Sequence, residues 1–152
     1  MSRLFQTLDS FPVLVGYLQG RREEPFIALK DEAAVQDLLY LSLKPVIPEL
    51  VYEEPTRKGA AGYSIGDFSL LSMNLILEVK YVRTSSDVKM KAGEIAQDIW
   101  QYSSQSDCQV IIFFVYDPYI LIPDRPNFIS MSSGQFVSRG REVTLYTLIK
   151  PA

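Results

Sequence analysis

The amino-acid sequence predicts an α/β fold, a mixed β-sheet with helices covering both faces. Three observations carry this. Apolar residues recur at helical spacing up to Leu43 and then switch to a period of two between Tyr63 and Tyr81. The two period-two segments flank a short turn, which makes a hairpin. A helical segment then leads into Val110 to Val115, a run apolar on both faces that suits a central strand. A strand reached through a helix pairs in parallel, so parallel and antiparallel pairs share one sheet.

Each element follows from local signals. Leu4, Leu8, Phe11, Leu14, Val15 and Leu18 recur at helical spacing, giving one helix, or two short ones broken at Pro12, that ends near Gly20. Gly20 to Pro25 reads as a polar linker. Asp31 to Leu43 is a second helix, with Ala33, Ala34, Val35, Leu38, Leu39, Leu41 and Leu43 in its apolar stripe, and Pro45 and Pro48 end it. Glu49 to Glu54 suits a short strand and Thr56 to Gly62 a loop. The hairpin strands are Tyr63 to Leu71 and Leu75 to Tyr81, around Ser72-Met73-Asn74. In the second strand Leu75, Leu77 and Val79 point one way, and Ile76, Glu78 and Lys80 the other. Ser86 is the expected N-cap, with Asp87 in the first turn, of a helix reaching about Gln105. Asp117-Pro118 stops the central strand, Asp124 to Gly140 reads as irregular, and Glu142 to Ile149 is the last strand. With no internal repeat or composition break, one domain over 1–152 is expected, with 1–25 as a helical extension and 26–152 as the core.

Composition narrows the chemistry. The chain has no histidine and one cysteine, Cys108, so Ser-His-Asp and Cys-His catalysis, structural zinc sites of Cys and His, and an internal disulfide are all excluded. Acid–base or metal chemistry falls to Asp, Glu, Lys and Tyr. Fifteen Lys and Arg against 18 Asp and Glu give −3, which argues against a simple basic nucleic-acid binder. Carboxylates gathered for a metal would lower the charge by themselves. The apolar runs are far shorter than the ~18 residues of a membrane helix. The first residues lack a signal peptide's basic, apolar, small-residue order, and a lone cysteine suits a reducing cytoplasm, the expected location.

The hairpin concentrates the reactive groups. Residues symmetric about its turn lie side by side, and a centre between Ser72 and Met73 sets Asp67 opposite Glu78. Two adjacent carboxylates repel unless a cation sits between them, and Mg²⁺ takes few carboxylates together with waters and phosphate oxygens. Lys80 shares a strand face with Glu78 and adds a donor for water or phosphate. Acids, metal and lysine make a phosphodiester hydrolase site that needs no histidine. The same spacing also describes a solvated strand face.

The order of patterns resembles the PD-(D/E)xK nuclease superfamily, whose fold is restriction-endonuclease-like. Asp67 is followed, after ten residues, by Glu78-Val79-Lys80. The similarity is to small bacterial modules with a leading helix like Asp31 to Leu39, a helix like Glu94 to Tyr102, and a strand ending in Tyr116-Asp117-Pro118. The resemblance implies an αβββαβ core behind an extra N-terminal helix. It implies that Asp67 and Glu78 ligate Mg²⁺ or Mn²⁺ and that Lys80 is the catalytic lysine. Glu32 would be the extra acid that serves as an outer metal or water ligand, with Gln36 one turn on. A first-turn acid favoured by the helix dipole is the other reading of Glu32. Asp98 and Tyr102 match the spacing of a Gln-x-x-x-Tyr motif on the substrate side, although Asp98 also suits pairing with a lysine. Gly66 stands where the motif's name has proline.

Lys80, Arg83, Lys89 and Lys91 form a local positive excess that suits either phosphate binding or a solvated helix start. Trp100 and the tyrosines are expected in the core, and Cys108 is expected to be inert. The resemblance thus points to a metal-dependent DNA endonuclease that hydrolyses phosphodiester bonds in restriction, phage defence or repair. DNA is the expected partner, with RNA open and a homodimer or partner subunit implied. The alternatives are a non-catalytic member serving nucleic-acid binding or assembly, and an unrelated interaction domain.

Overall fold

The computed structural model describes residues 1–20, 29–52, 66–104 and 107–152. The expected linker after Gly20, the Gly59 to Gly62 loop with Arg57 and Lys58, and the start of the first hairpin strand lie outside these residues. Helix α1, Ser2–Gly20, runs unbroken through Pro12. Leu4, Leu8, Phe11 and Val15 are buried along one side of it, and this packing outweighs the hydrogen bond Pro12 cannot donate. Helix α2, Glu32–Leu43, starts at Asp31, whose side chain accepts from Ala34 N at 2.9 Å. Helix α3, Ser85–Ser103, is capped at Thr84, two residues before the expected Ser86. Asp87 sets that start by accepting from Arg83 N at 2.9 Å and Thr84 N at 3.0 Å. These bonds, led by the one from Arg83 N, hold the Asp87 carboxyl below its usual range.

Among the described residues, six strands form one mixed sheet: β1 (Val51–Tyr52), β2 (Phe68–Leu70), β3 (Leu75–Tyr81), β4 (Val110–Tyr116), β5 (Gly134–Ser138) and β6 (Arg141–Lys150), in the order β1-β2-β3-β4-β6-β5. β1, β2 and β3 are antiparallel, β3, β4 and β6 are parallel, and β5 returns antiparallel on the edge. The hairpin register pairs Phe68 with Leu77 and Leu70 with Leu75, the symmetry read from the sequence. Its turn is a single 3₁₀ turn, Leu71–Met73, closed by Asn74 at φ 48°, a left-handed position that asparagine tolerates.

The segment expected to be irregular holds two elements, β5 and a fourth helix, α4 (Arg125–Met131). Asp124 caps α4 by accepting from Asn127 N at 3.1 Å, and Pro126 stands in its first turn. The helix buries no residue fully, and β5 is largely exposed, so neither leaves an apolar period in the sequence.

The alternation of β3 divides the core. Leu75, Leu77, Val79 and Tyr81 pack against α1 and α2, and Ile76 and Val82 join the α3 and α4 side. Glu78 and Lys80 therefore lie on the α3 face, where the chain buries them. Trp100 departs from expectation, being 69% exposed on α3, and Tyr17 and Tyr119 are exposed as well. Cys108 is buried, and burial pushes its thiol up to about 11, which leaves it unreactive.

Candidate active site

Asp67 lies in a bend one residue before β2, where continuing the ladder sets it against Glu78. Its Oδ2 accepts from Val79 N at 2.8 Å, and its own N–H donates to Glu78 Oε2 at 3.3 Å. The preceding Gly66 permits this closeness. A Cβ there would overlap Ile76 Cγ2 and stand 3.4 Å from Glu78 Oε2. Proline at this position would meet the same obstacle, which gives the departure from the motif's name a physical reason.

Helix α3 supplies the opposite wall. Lys80 Nζ lies 2.9 Å from Glu78 Oε1 and 2.8 Å from Asp98 Oδ2, and Tyr102 donates its hydroxyl to Glu78 Oε2 at 2.9 Å. The match is one of repeat lengths. Four helical residues rise about 6 Å, and two strand residues rise about 6.6 Å. Asp98 and Tyr102, one turn apart, thus stand over Lys80 and Glu78, two strand positions apart.

An outer group closes one end. Glu32 Oε2 accepts from Tyr81 N at 3.0 Å and pairs with Lys91 Nζ at 3.0 Å. Lys91 also pairs with Glu94 Oε2 at 3.0 Å, and Glu94 Oε2 lies 3.9 Å from Lys80 Nζ. Glu94 is a member that the sequence reading missed, although it lies one helical turn before Asp98. Gln36 is half-buried on α2 and joins none of these contacts. Lys89 is exposed, and two helix positions from Lys91 place it on nearly the opposite side of α3. The expected positive excess is thereby corrected, since Lys80 and Lys91 are taken up by four carboxylates, Glu32, Glu78, Glu94 and Asp98, with Asp67 adjoining them.

The electrostatics follow from burial and this surplus of acid. Burial first, and the charge of Glu78 second, raise the Asp67 carboxyl from 3.8 to about 7. Burial also raises Glu78, against the pull of Lys80 and the Tyr102 hydroxyl. Burial alone would lower Lys80, but Glu78 and Asp98 together hold its ammonium above the usual range. Lys91 is likewise held up against burial by Glu32 and Glu94.

Among the described residues, no group of three or more His, Cys, Asp or Glu side chains stands ready to enclose a metal ion. The donor set nevertheless fits a hard divalent cation. Mg²⁺ typically takes one or two protein carboxylates and keeps positions for water and phosphate oxygen. Asp67 and Glu78 are two adjoining carboxylates whose ionisation costs energy without a neighbouring positive charge.

A mixed sheet presenting a hairpin Asp, a Glu-x-Lys strand and an apposed helix defines the restriction-endonuclease-like class of fold. A family model described as REase_DpnII-MboI matches residues 2–147, and the chain belongs to this DpnII-MboI family of restriction endonucleases. No curated protein and no solved structure matches significantly. Membership implies a nuclease with DNA as substrate, in a family that generally uses a divalent metal. Among the described residues, no helix is long and apolar enough to cross a membrane.

Proposed function

We propose that the protein is a Mg²⁺-dependent DNA endonuclease whose reacting groups are Asp67, Glu78 and Lys80. The observation that carries this reading is the contact between Asp67 N and Glu78 Oε2 at 3.3 Å beside an ammonium 2.9 Å from Glu78 Oε1. Asp67 and Glu78 would hold the cation, and Glu32 would act from outside through water. When bound, the cation would lower the pKa of water and offset negative charge on the phosphate. The remaining work belongs to the chain. Lys80 keeps a protonated Nζ aimed between Glu78 and Asp98, from where it can donate to the attacking water or to a phosphate oxygen. Tyr102 fixes the rotamer of Glu78 through its hydroxyl. Lys91 is the member of the outer group best placed to meet a phosphate once Glu32 or Glu94 releases it.

On this reading a cytoplasmic role in restriction, phage defence or repair follows. Cutting both strands of a duplex would bring in a second copy or a partner subunit. The test is cleavage of plasmid DNA with Mg²⁺, with Mn²⁺ and with chelator. The chain should cut only with metal. Lys80→Ala should lower the rate at least a thousandfold, an order consistent with losing a main electrostatic group, while the circular dichroism spectrum is kept. Cleavage by Lys80→Ala at the parent rate would remove Lys80 from the mechanism, and metal-independent cutting would remove the cation.

A further inference from the structure

The turn after β4 presents side chains that the cleavage site does not use. Resting on the reading of the chain as a DNA nuclease, we propose that Tyr119 and Ile120 form a preorganised wedge that enters the stacked base pairs of the substrate near the cut.

The two side chains are 65% and 66% exposed. Ile120 also has φ 54°, a left-handed conformation that a β-branched residue rarely adopts. An exposed apolar side chain on an unfavourable backbone gives nothing to folding. Yet the turn is fixed from every side. Asp117 is fully buried, with Oδ1 accepting from Leu121 N at 2.8 Å and Oδ2 accepting from Ile122 N at 3.1 Å. The Asp117 carbonyl accepts from Ile120 N at 3.2 Å. Arg125 pairs with Asp117 Oδ2 at 2.9 Å and donates to Pro151 O at 2.6 Å. Ile122 is buried and anchors the end of the turn. Backbone strain persists where surrounding structure over-determines it, and such strain concentrates where a side chain must be presented to a ligand. A tip held rigid in advance loses little freedom on binding.

Its position suits DNA. β4 runs parallel to β3 with Phe113 opposite Glu78 and Tyr116 opposite Tyr81. The turn therefore starts four residues beyond the level of Glu78, about 13 Å along the strand. That span is about four base-pair steps. Tyr119 meets the hydroxyl of Tyr81, which donates to Leu29 O at 2.9 Å. Lys30, next in sequence to Leu29, and Arg83, two residues after Tyr81, are exposed at the same end of the sheet, with Asp31 beside Lys30 and Asp87 4.0 Å from Arg83. An aromatic and an aliphatic side chain side by side match stacked base pairs, and apolar wedges of this kind unstack base steps. The place of the tip, on the strand next to β3 and at this distance from Glu78, favours nucleic acid over a protein partner.

The test uses duplex DNA with 2-aminopurine at successive positions, bound by the full chain carrying Lys80→Met so that the DNA stays whole. Binding should raise 2-aminopurine fluorescence at one or two steps. Adding Ile120→Asn, which tolerates the left-handed backbone and lacks the apolar body, should abolish the rise and weaken binding about tenfold. Tyr119→Ala should weaken it by a similar factor. The melting temperature of the Ile120→Asn chain should be no lower than its parent's, an outcome a merely structural role would not give. Unchanged affinity and fluorescence in both variants overturn the wedge. If the chain with Lys80 intact cuts DNA with metal and Ile120→Asn cuts and binds equally well, the wedge alone fails. If that chain neither binds nor cuts DNA, the nuclease reading fails and the wedge with it. If Ile120→Asn instead dissociates an oligomer seen by light scattering and leaves DNA affinity unchanged, the tip is a protein contact and the proposal is wrong.

Discussion

Asp67 ties the proposed chemistry to the stability of the chain. Its carboxyl is raised from 3.8 to about 7 by burial first and by Glu78 second. The folded protein therefore keeps a proton that the unfolded chain has released, over the window between those two values. The sign follows from this. The contribution of Asp67 to stability is fully present below 3.8 and is lost as pH rises through about 7. With no histidine in the chain, no imidazole titrates in the same window. In chelator, the melting temperature should therefore fall between pH 6 and pH 8, and Asp67→Asn should flatten that fall. Excess Mg²⁺ should restore stability at pH 8, because a cation that binds only the folded state stabilises it. Thermal melts at the two pH values, with and without metal, decide the matter. A parent chain with no fall in chelator would contradict the raised carboxyl.

Helix α3 acts as a unit, because its one-turn repeat meets the two-residue repeat of β3. Tyr102 is the residue to test. Its hydroxyl is buried and donates to Glu78 Oε2 at 2.9 Å, a bond to an ionisable group worth about 1.5–3 kcal/mol. Tyr102→Phe keeps the ring packing and removes that bond. We expect kcat to fall roughly tenfold or more, with KM for DNA little changed, since Tyr102 holds Glu78 and not the substrate. A rise in KM at unchanged kcat would instead put the hydroxyl on DNA. The same helix shows what the sequence could and could not reveal. Asp67, Glu78 and Lys80 were legible because strand alternation and hairpin symmetry depend only on counting residues. Asp98 and Tyr102 were legible as a one-turn pair. Glu94 was not, because its part in the site depends on the phase of α3 against β3. Lys89 was grouped with Lys91 by charge alone, and helix phase separates them. At the far end of the sheet, α4 and β5 left no apolar period because they bury little, and only the Asp124 cap and Pro126 marked α4.

At the scale of the whole molecule, α1 decides where the folding unit begins. The sequence suggested a helical extension before a core starting near residue 26, yet Leu4, Leu8, Phe11 and Val15 lie in the same buried cluster as β3 and β4. Phe11 meets Phe114 and Tyr116 edge-on, with ring centroids 5.1 and 5.5 Å away. Fully burying a side chain of this kind contributes about 1.5–3 kcal/mol, so the four together supply about 6–12 kcal/mol. That is of the same order as the about 5–15 kcal/mol that keeps a typical domain folded. The ion pair of Asp9 with Lys150, 2.6 Å long and exposed on the Asp9 side, adds little beside this. Removal of residues 1–20 should therefore cost this face of the sheet one of its two covering helices and expose Phe114. We expect the shortened chain to lose its cooperative thermal transition and its near-ultraviolet circular dichroism, and to be cleaved rapidly by protease where the full chain resists. Adding a synthetic peptide of residues 1–20 should restore part of the signal if the apolar face of α1 is what matters. A shortened chain that melts cooperatively within a few degrees of the full one would show that the core stands without α1, and that the helix is an extension after all.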